Sequence, residues 1–280
     1  MTITMQITRL VLTILAVTPL VLRAEMLLQE DFSYPDGQLS QVATNVWVTH
    51  SGGARPLNVL GGAAVINQAD FSSGAEDINR LLSTSYNPVA DNVTKLYAAF
   101  TVNFSALPVS TGTDQAGSYF AHFKAGGALN EYYARVGANL DGAAPGTFRL
   151  AIANELWTGA TTVEYPQDLS LGVTYEVVVR LDLATDQSTL WVGPVMESSF
   201  SVTATDTLTY AAGGSINAFA LRQGASGIGA NQGVPGILSL DNLRIATSFA
   251  ELQIIPEPSP LALLGLGGVV LLVWRRRPRA

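Results

Sequence analysis

The chain has 280 residues, no cysteine, and a net charge of −7 from 15 basic and 22 acidic side chains. That length suits one large domain or two small ones, and the absence of cysteine excludes disulfides and thiol-held metal or redox centres. Residues 25–252 alone hold 9 basic and 21 acidic side chains, a net of −12, and this excess repels phosphate backbones and excludes nucleic acid as a partner.

Residues 1–24 open with a weakly basic stretch ending at Arg9, run apolar from Leu10 to Leu22 with a break at Pro19, and close on Leu22-Arg23-Ala24. Thirteen residues as a helix span roughly 20 Å, short of a ~30 Å hydrocarbon core. The segment is therefore expected to be a signal peptide cleaved after the small residue Ala24.

From Glu25 onward the apolar pattern has period two. Phe100, Val102 and Phe104 share one face of Lys95–Phe104. Phe148, Leu150 and Ile152 alternate with polar or small residues, and Tyr175, Val177, Val179 and Leu181 do the same. Such alternation predicts strands with one face on a core. Further strands are expected at 26–33, 45–49, 57–66, 118–124, 131–139, 190–192, 215–222 and 236–246. Gly, Pro, Asn and Asp cluster between them. No capped stretch with a 3.6-residue period occurs between 25 and 252, and no internal repeat or long linker divides the segment. Many short strands without helices predict an all-β fold, an antiparallel jelly-roll β-sandwich over 25–252. Residues 223–236, with Gly224, Gly227, Gly229 and Gly233, read as a surface loop, since no helix follows to make a phosphate cradle.

The far end reads Ile255-Pro256-Glu257-Pro258-Ser259-Pro260, an uncharged run from Leu261 to Trp274, then Arg275-Arg276-Arg277-Pro278-Arg279-Ala280. The prolines forbid a helix or a ladder there. The arginines stay on the cytoplasmic side, so 261–274 is expected to form a transmembrane helix with the domain outside.

Pro256, Glu257 and Pro258, the apolar segment, and Arg275, Arg276 and Arg277 together resemble the PEP-CTERM sorting signal over 254–280. The resemblance implies export in a polysaccharide-producing bacterium, with processing by an exosortase-type transpeptidase and a transient membrane stage. The middle resembles the concanavalin A-like, laminin-G-like sandwiches. That likeness rests on the hairpin Leu171–Asp182 with Ser188–Gly193, and on a closing strand Leu238–Ile245 paired near Glu30-Asp31-Phe32. In such sandwiches the first and last strands lie side by side and a calcium ion ties their ends. A structural calcium on Asp31 and Asp241 is therefore one reading, and an Asp241-Asn242 turn is the other. No other cofactor is implied.

Catalytic patterns are missing from the sequence. Its two histidines, His50 and His122, lie in different predicted strands without ligand spacing, and both read as strand-surface residues. Period two puts His122 on the face opposite Tyr119. No Gly-x-Ser-x-Gly elbow occurs. The Glu-x-Asp-x-x-Glu arrangement of glucanases on this fold is absent, with Glu155 and Glu164 isolated and Asp182 and Asp186 flanking a turn. Trp47, Trp157 and Trp191 are expected in the core, and would stack on sugar rings if exposed. The expectation is a non-catalytic cell-surface or matrix protein with a structural, adhesive or glycan-binding role, extracellular polysaccharide being the candidate ligand. The alternative is a glycoside hydrolase or lyase.

Overall fold

The structure is a computed structural model that describes residues 24–69, 74–91, 94–110, 118–126, 132–158, 160–206, 215–228 and 231–252. The predicted signal peptide up to Arg23 and the whole predicted sorting segment, with its Pro-Glu-Pro and arginine residues, lie outside them.

In chain order the first strands are β1 (Met26–Glu30), β2 (Gly37–Gln38), β3 (Val48–Ser51), β4 (Asn58–Leu60), β5 (Ala63–Gln68), β6 (Asp77–Tyr86) and β7 (Lys95–Ala106). Then come β8 (Val109–Ser110), β9 (Ser118–Gly126), β10 (Tyr132–Asn139), β11 (Thr147–Ala153), β12 (Val163–Glu164), β13 (Leu169–Ser170) and β14 (Thr174–Asp182). The last are β15 (Gln187–Val192), β16 (Val202–Ala204), β17 (Ser215–Arg222), β18 (Ser226–Ile228), β19 (Asn231–Val234) and β20 (Gly236–Ala246). A single helical turn, Leu39–Val42, and a 3₁₀ turn, Ala250–Leu252, complete the described elements.

A nine-stranded sheet runs β16-β15-β14-β7-β20-β5-β4-β2, with β1 added beside β20. An eight-stranded sheet runs β12-β11-β10-β9-β17-β6-β3, with β13 on β11. Every strand pair is antiparallel, and the two sheets pack face to face as the expected sandwich. Phe100 and Phe104 of β7 meet Phe120 of β9, Phe148 of β11 and Phe219 of β17 between the layers, with ring centroids 4.3 to 6.4 Å apart. These are ordinary spacings for aromatic pairs, and the rings stay dry on both sides. All three tryptophans considered above are buried: Trp47 against the core, Trp191 on the outer face of the nine-stranded sheet and Trp157 on the outer face of the other.

One buried carboxylate knits the layers. Glu30, at the end of β1, accepts hydrogen bonds from Phe32 N (2.7 Å), Tyr34 Oη (2.9 Å) and Trp47 Nε1 (2.9 Å), and pairs with Arg80 of β6. A charge so deep is tolerated only because its lone pairs are filled.

Three expectations are corrected. The predicted strand 57–66 is the hairpin β4–β5, because Gly61 and Gly62 adopt φ of +60° and +80° and close a two-residue turn between Leu60 and Ala63. The predicted loop 223–236 contains β18 and β19, which join β8 in a small third sheet. The strand β6 has no counterpart among the predicted elements: its apolar residues Ile78, Leu81, Leu82 and Tyr86 break period two because β6 slips register against β17.

Candidate functional site: a cationic and aromatic cluster on one sheet face

The outer face of the eight-stranded sheet gathers its polar chemistry through two bulges. Val136 of β10 pairs with Ala121 of β9, and Tyr133 with Phe123, so three residues of β10 oppose two of β9. Ala134 takes the extra position at a φ of +50° and donates its N–H to Asn154 O. One step further along, Gly137 pairs with Tyr119, and the extra residue now sits in β9. A bulge inverts the side-chain parity of the strand that carries it. Tyr132 and Arg135, three apart, thereby share the outer face, and so do Tyr119 and His122.

The sequence-based placement of His122 is thus overturned. Its ring lies 5.6 Å from that of Tyr119 and 4.6 Å from that of Tyr132. It is buried rather than on the surface, with Nδ1 3.0 Å from Phe123 O. His50 of β3 reaches the same cluster, 6.5 Å from His122 and 6.3 Å from Tyr132. The only two histidines of the chain are therefore neighbours.

Cations surround these rings. The Arg135 guanidinium lies 5.0 Å from the Tyr119 centroid and 5.6 Å from that of Tyr132, and its Nε donates to Tyr132 O at 3.3 Å. Arg222 of β17 lies 4.3 Å from the Tyr119 centroid, bonds Ser118 Oγ at 3.0 Å and pairs with Asp77 at 3.8 Å. Lys124 sits opposite Tyr132 across the β9–β10 ladder. Burial holds the His122 imidazole well below its ordinary value, against the pull of the Phe123 carbonyl; Arg135, His50 and Arg222 lower it further. Burial likewise lowers His50, opposed by Asp77 and assisted by Lys124 and Arg222. It also lowers Lys124 and Arg135 and raises the Tyr132 phenol. Desolvation disfavours each charged form.

Trp157 closes one side of the cluster. It packs with Tyr119, Ala151 and Ala153, and crosses β10 at Gly137, where a Cβ would collide with the indole and with Ser118 O. The carboxylates bordering the cluster are already engaged. Asp77 accepts from Ser51 Oγ, Gln223 N and Gly224 N, and Asp206 from the backbone N–H groups of Asn154, Glu155 and Leu156 at 2.7 to 2.9 Å.

The first and last strands do lie side by side, as expected: Glu30 pairs with Leu243. Asp241 Oδ1 accepts Asn242 N at 2.6 Å and Oδ2 accepts Asn242 Nδ2 at 3.2 Å, with Asn242 at a φ of +55° in a bulge against β7. Burial raises Asp241, and Asp31 and Glu30 add to the rise. Asp31 is exposed and accepts Ser33 N at 3.3 Å. Among the described residues no group of three or more histidine, aspartate or glutamate side chains stands together in a way that could hold a metal ion.

Residues 255–277 match the PEP-CTERM protein-sorting motif. The chain is an exported protein of a bacterial cell envelope. No curated protein matches it. Among solved structures it is similar to the CBM2 module of an evolved Dit protein from Lactobacillus casei BL23 phage J-1 (12% identity, 80% of this chain and 96% of that one, TM-score 0.44). It is also similar to the alginate lyase Aly36B (13%, 79% and 96%, TM-score 0.46) and to peanut lectin (10%, 81% and 98%, TM-score 0.43). At these identities and scores the likeness transfers no function to this chain.

Proposed function

We propose that this is a non-catalytic surface or matrix protein that binds extracellular polysaccharide on the outer face of its eight-stranded sheet. The observation that carries this reading is the convergence of Tyr119, Tyr132, His50, His122, Lys124, Arg135 and Arg222 there, from four strands. The half-buried Tyr132 ring offers apolar surface to sugar C–H groups, while the neighbouring cations orient the polar ones. The non-catalytic part draws support from the carboxylates: Asp77 and Asp206 are held by backbone and arginine partners, and Glu155 is buried. Glycoside hydrolysis would need a pair of carboxylates free to act as acid and as base or nucleophile. A glycan array on the full chain in detergent micelles, with a parallel assay for new reducing ends, tests both parts. Binding without cleavage is expected, and an array on which no glycan is retained overturns the reading.

A second reading, a polysaccharide lyase, is favoured by one contact, the His122 ring against Tyr132 beside Arg135. An acid, a base and a cation in reach of one another are what elimination requires. Appearance of unsaturated sugar ends in the same assay would establish it in place of the first.

A further inference from the structure

Nine cationic side chains serve the 228 residues from 25 to 252, against 21 acids. Arg80, Lys95, Arg149, Arg180 and Arg222 each sit within 4 Å of a carboxylate. Arg135 does not: among the described residues no carboxylate lies within ion-pair reach of it. Its guanidinium rests between two tyrosine rings, donates one hydrogen bond to a carbonyl, and faces the like charge of Arg222. In a domain this acidic, carboxylates are the cheapest partner to supply, and a largely desolvated cation left without one is costly. Asp206, a carboxylate whose charge acts on Arg135, has its oxygens engaged by three backbone N–H groups.

We infer that the partner is supplied by the ligand, and that this face takes a carboxylate-bearing polysaccharide whose uronate groups are read by Arg135. This rests on the glycan-binding reading above. The guanidinium fork matches a carboxylate bidentately, whereas an ammonium would act as a point charge. The two tyrosines flank the fork, the buried Tyr119 supporting it and the half-buried Tyr132 presenting a surface on which a sugar ring can lie. Arg135, Arg222 and Lys124 outnumber the bordering Asp77 and Asp206, so the local balance of charge is positive although the domain as a whole is acidic. At physiological salt only charges within about 8 Å act strongly, so the cluster outweighs the distant acids.

The test uses the full chain in detergent micelles and three probes: polygalacturonate, the same polymer with its carboxyl groups reduced to alcohols, and dextran sulfate. Polygalacturonate is expected to bind roughly tenfold or more tightly than its reduced form, the size of one charge-assisted hydrogen-bond pair. Arg135→Gln is expected to remove that advantage, so that the native and reduced polymers bind alike, with Arg135→Lys retaining part of it. Equal binding of native and reduced polymer overturns the inference and leaves glycan binding standing. Dextran sulfate binding as tightly as polygalacturonate also overturns it, since charge alone would then suffice. Binding of none of the three, with an empty array, removes both readings together. If Arg135→Gln melts early, the comparison of polymers on the native chain still decides.

Discussion

The two sheets of this sandwich treat their outer faces in opposite ways. On the nine-stranded sheet Tyr97, Ala99, Val178, Trp191 and Ala246 form an apolar patch on the outward side of β7, β14, β15 and β20, beside Arg180, which lies over Trp191 and pairs with Glu197. The chain covers them itself: Phe249 packs edge-on to Tyr97 and Trp191 at 6.2 and 5.9 Å, Leu252 is buried, and Arg244 holds Leu252 O at 3.2 Å. On the eight-stranded sheet the corresponding face carries histidines, tyrosines and three cations, of which His122, Tyr119 and Lys124 are buried, and its Trp157 end is apolar. The two outer faces of one sandwich thus differ in how far the chain itself covers them. The apolar one is sealed by local sequence, and the polar one is built at a cost in desolvation.

Four measurements bear on that contrast. The largest effect is expected at the sealed face. Trp191→Ala removes a buried indole whose Nε1 donates to Glu197 O and Ser199 O, and should cost about 3–5 kcal/mol by urea unfolding. A loss under about 1 kcal/mol would mean that the C-terminal cover is not a structural seal. Next comes Gly137→Ala at the other face. The added methyl has no room beneath Trp157, so a loss of about 1–3 kcal/mol is expected together with a red-shifted tryptophan emission. Unchanged emission would place Trp157 elsewhere.

A smaller effect is expected with acid. Both histidines have folded values below their unfolded value, so near and below about pH 6.5 the unfolded chain binds more protons. Their stabilising contribution is present above that pH and lost as pH falls toward the folded values. The melting midpoint should drop from about pH 7.5 to about pH 5, and the drop should be shallower in His122→Asn. An identical slope in that variant would show that the acid loss comes from other groups. The smallest effect, none, is expected of calcium. Asp241 spends both oxygens on Asn242, so the midpoint should be the same with calcium and with chelator, and Asp241→Ala should respond alike in both. A calcium-dependent rise lost in that variant would establish the ion after all.

The sandwich was legible in the sequence because β7, β11 and β14 keep strict alternation along their length, and because their inward residues are large and their turns rich in Gly and Asp. The cluster was not, and the reason is parity. Period two places Tyr119 and His122 on opposite faces, and likewise Tyr132 and Arg135; each pair is reunited by one extra residue in its strand. Nothing in Tyr133-Ala134-Arg135 announces a bulge, since alanine at positive φ is uncommon and the position is fixed by Asn154 O from a neighbouring segment. A trace was present: aromatic and cationic residues interleave from Tyr119 to Arg135 in a chain otherwise poor in cations. The buried ion pair of Glu30 with Arg80 went unread for a similar reason, because Arg80 lies on the strand whose register slip hid it.

The pairing of β1 with β20 has a mechanical consequence. Glu25 O accepts Thr247 N, so the folded domain begins and ends at one point. Tension arriving from the envelope through the C-terminal tail enters at Leu252 and runs into β20. That strand is bonded to β7 along one side, and to β5 and then β1 along the other. A strand held on both flanks cannot be peeled from an edge, and its ladders must shear together. The domain is hung from its most interlocked strand, and the sheet that carries the cationic cluster is off the line of load.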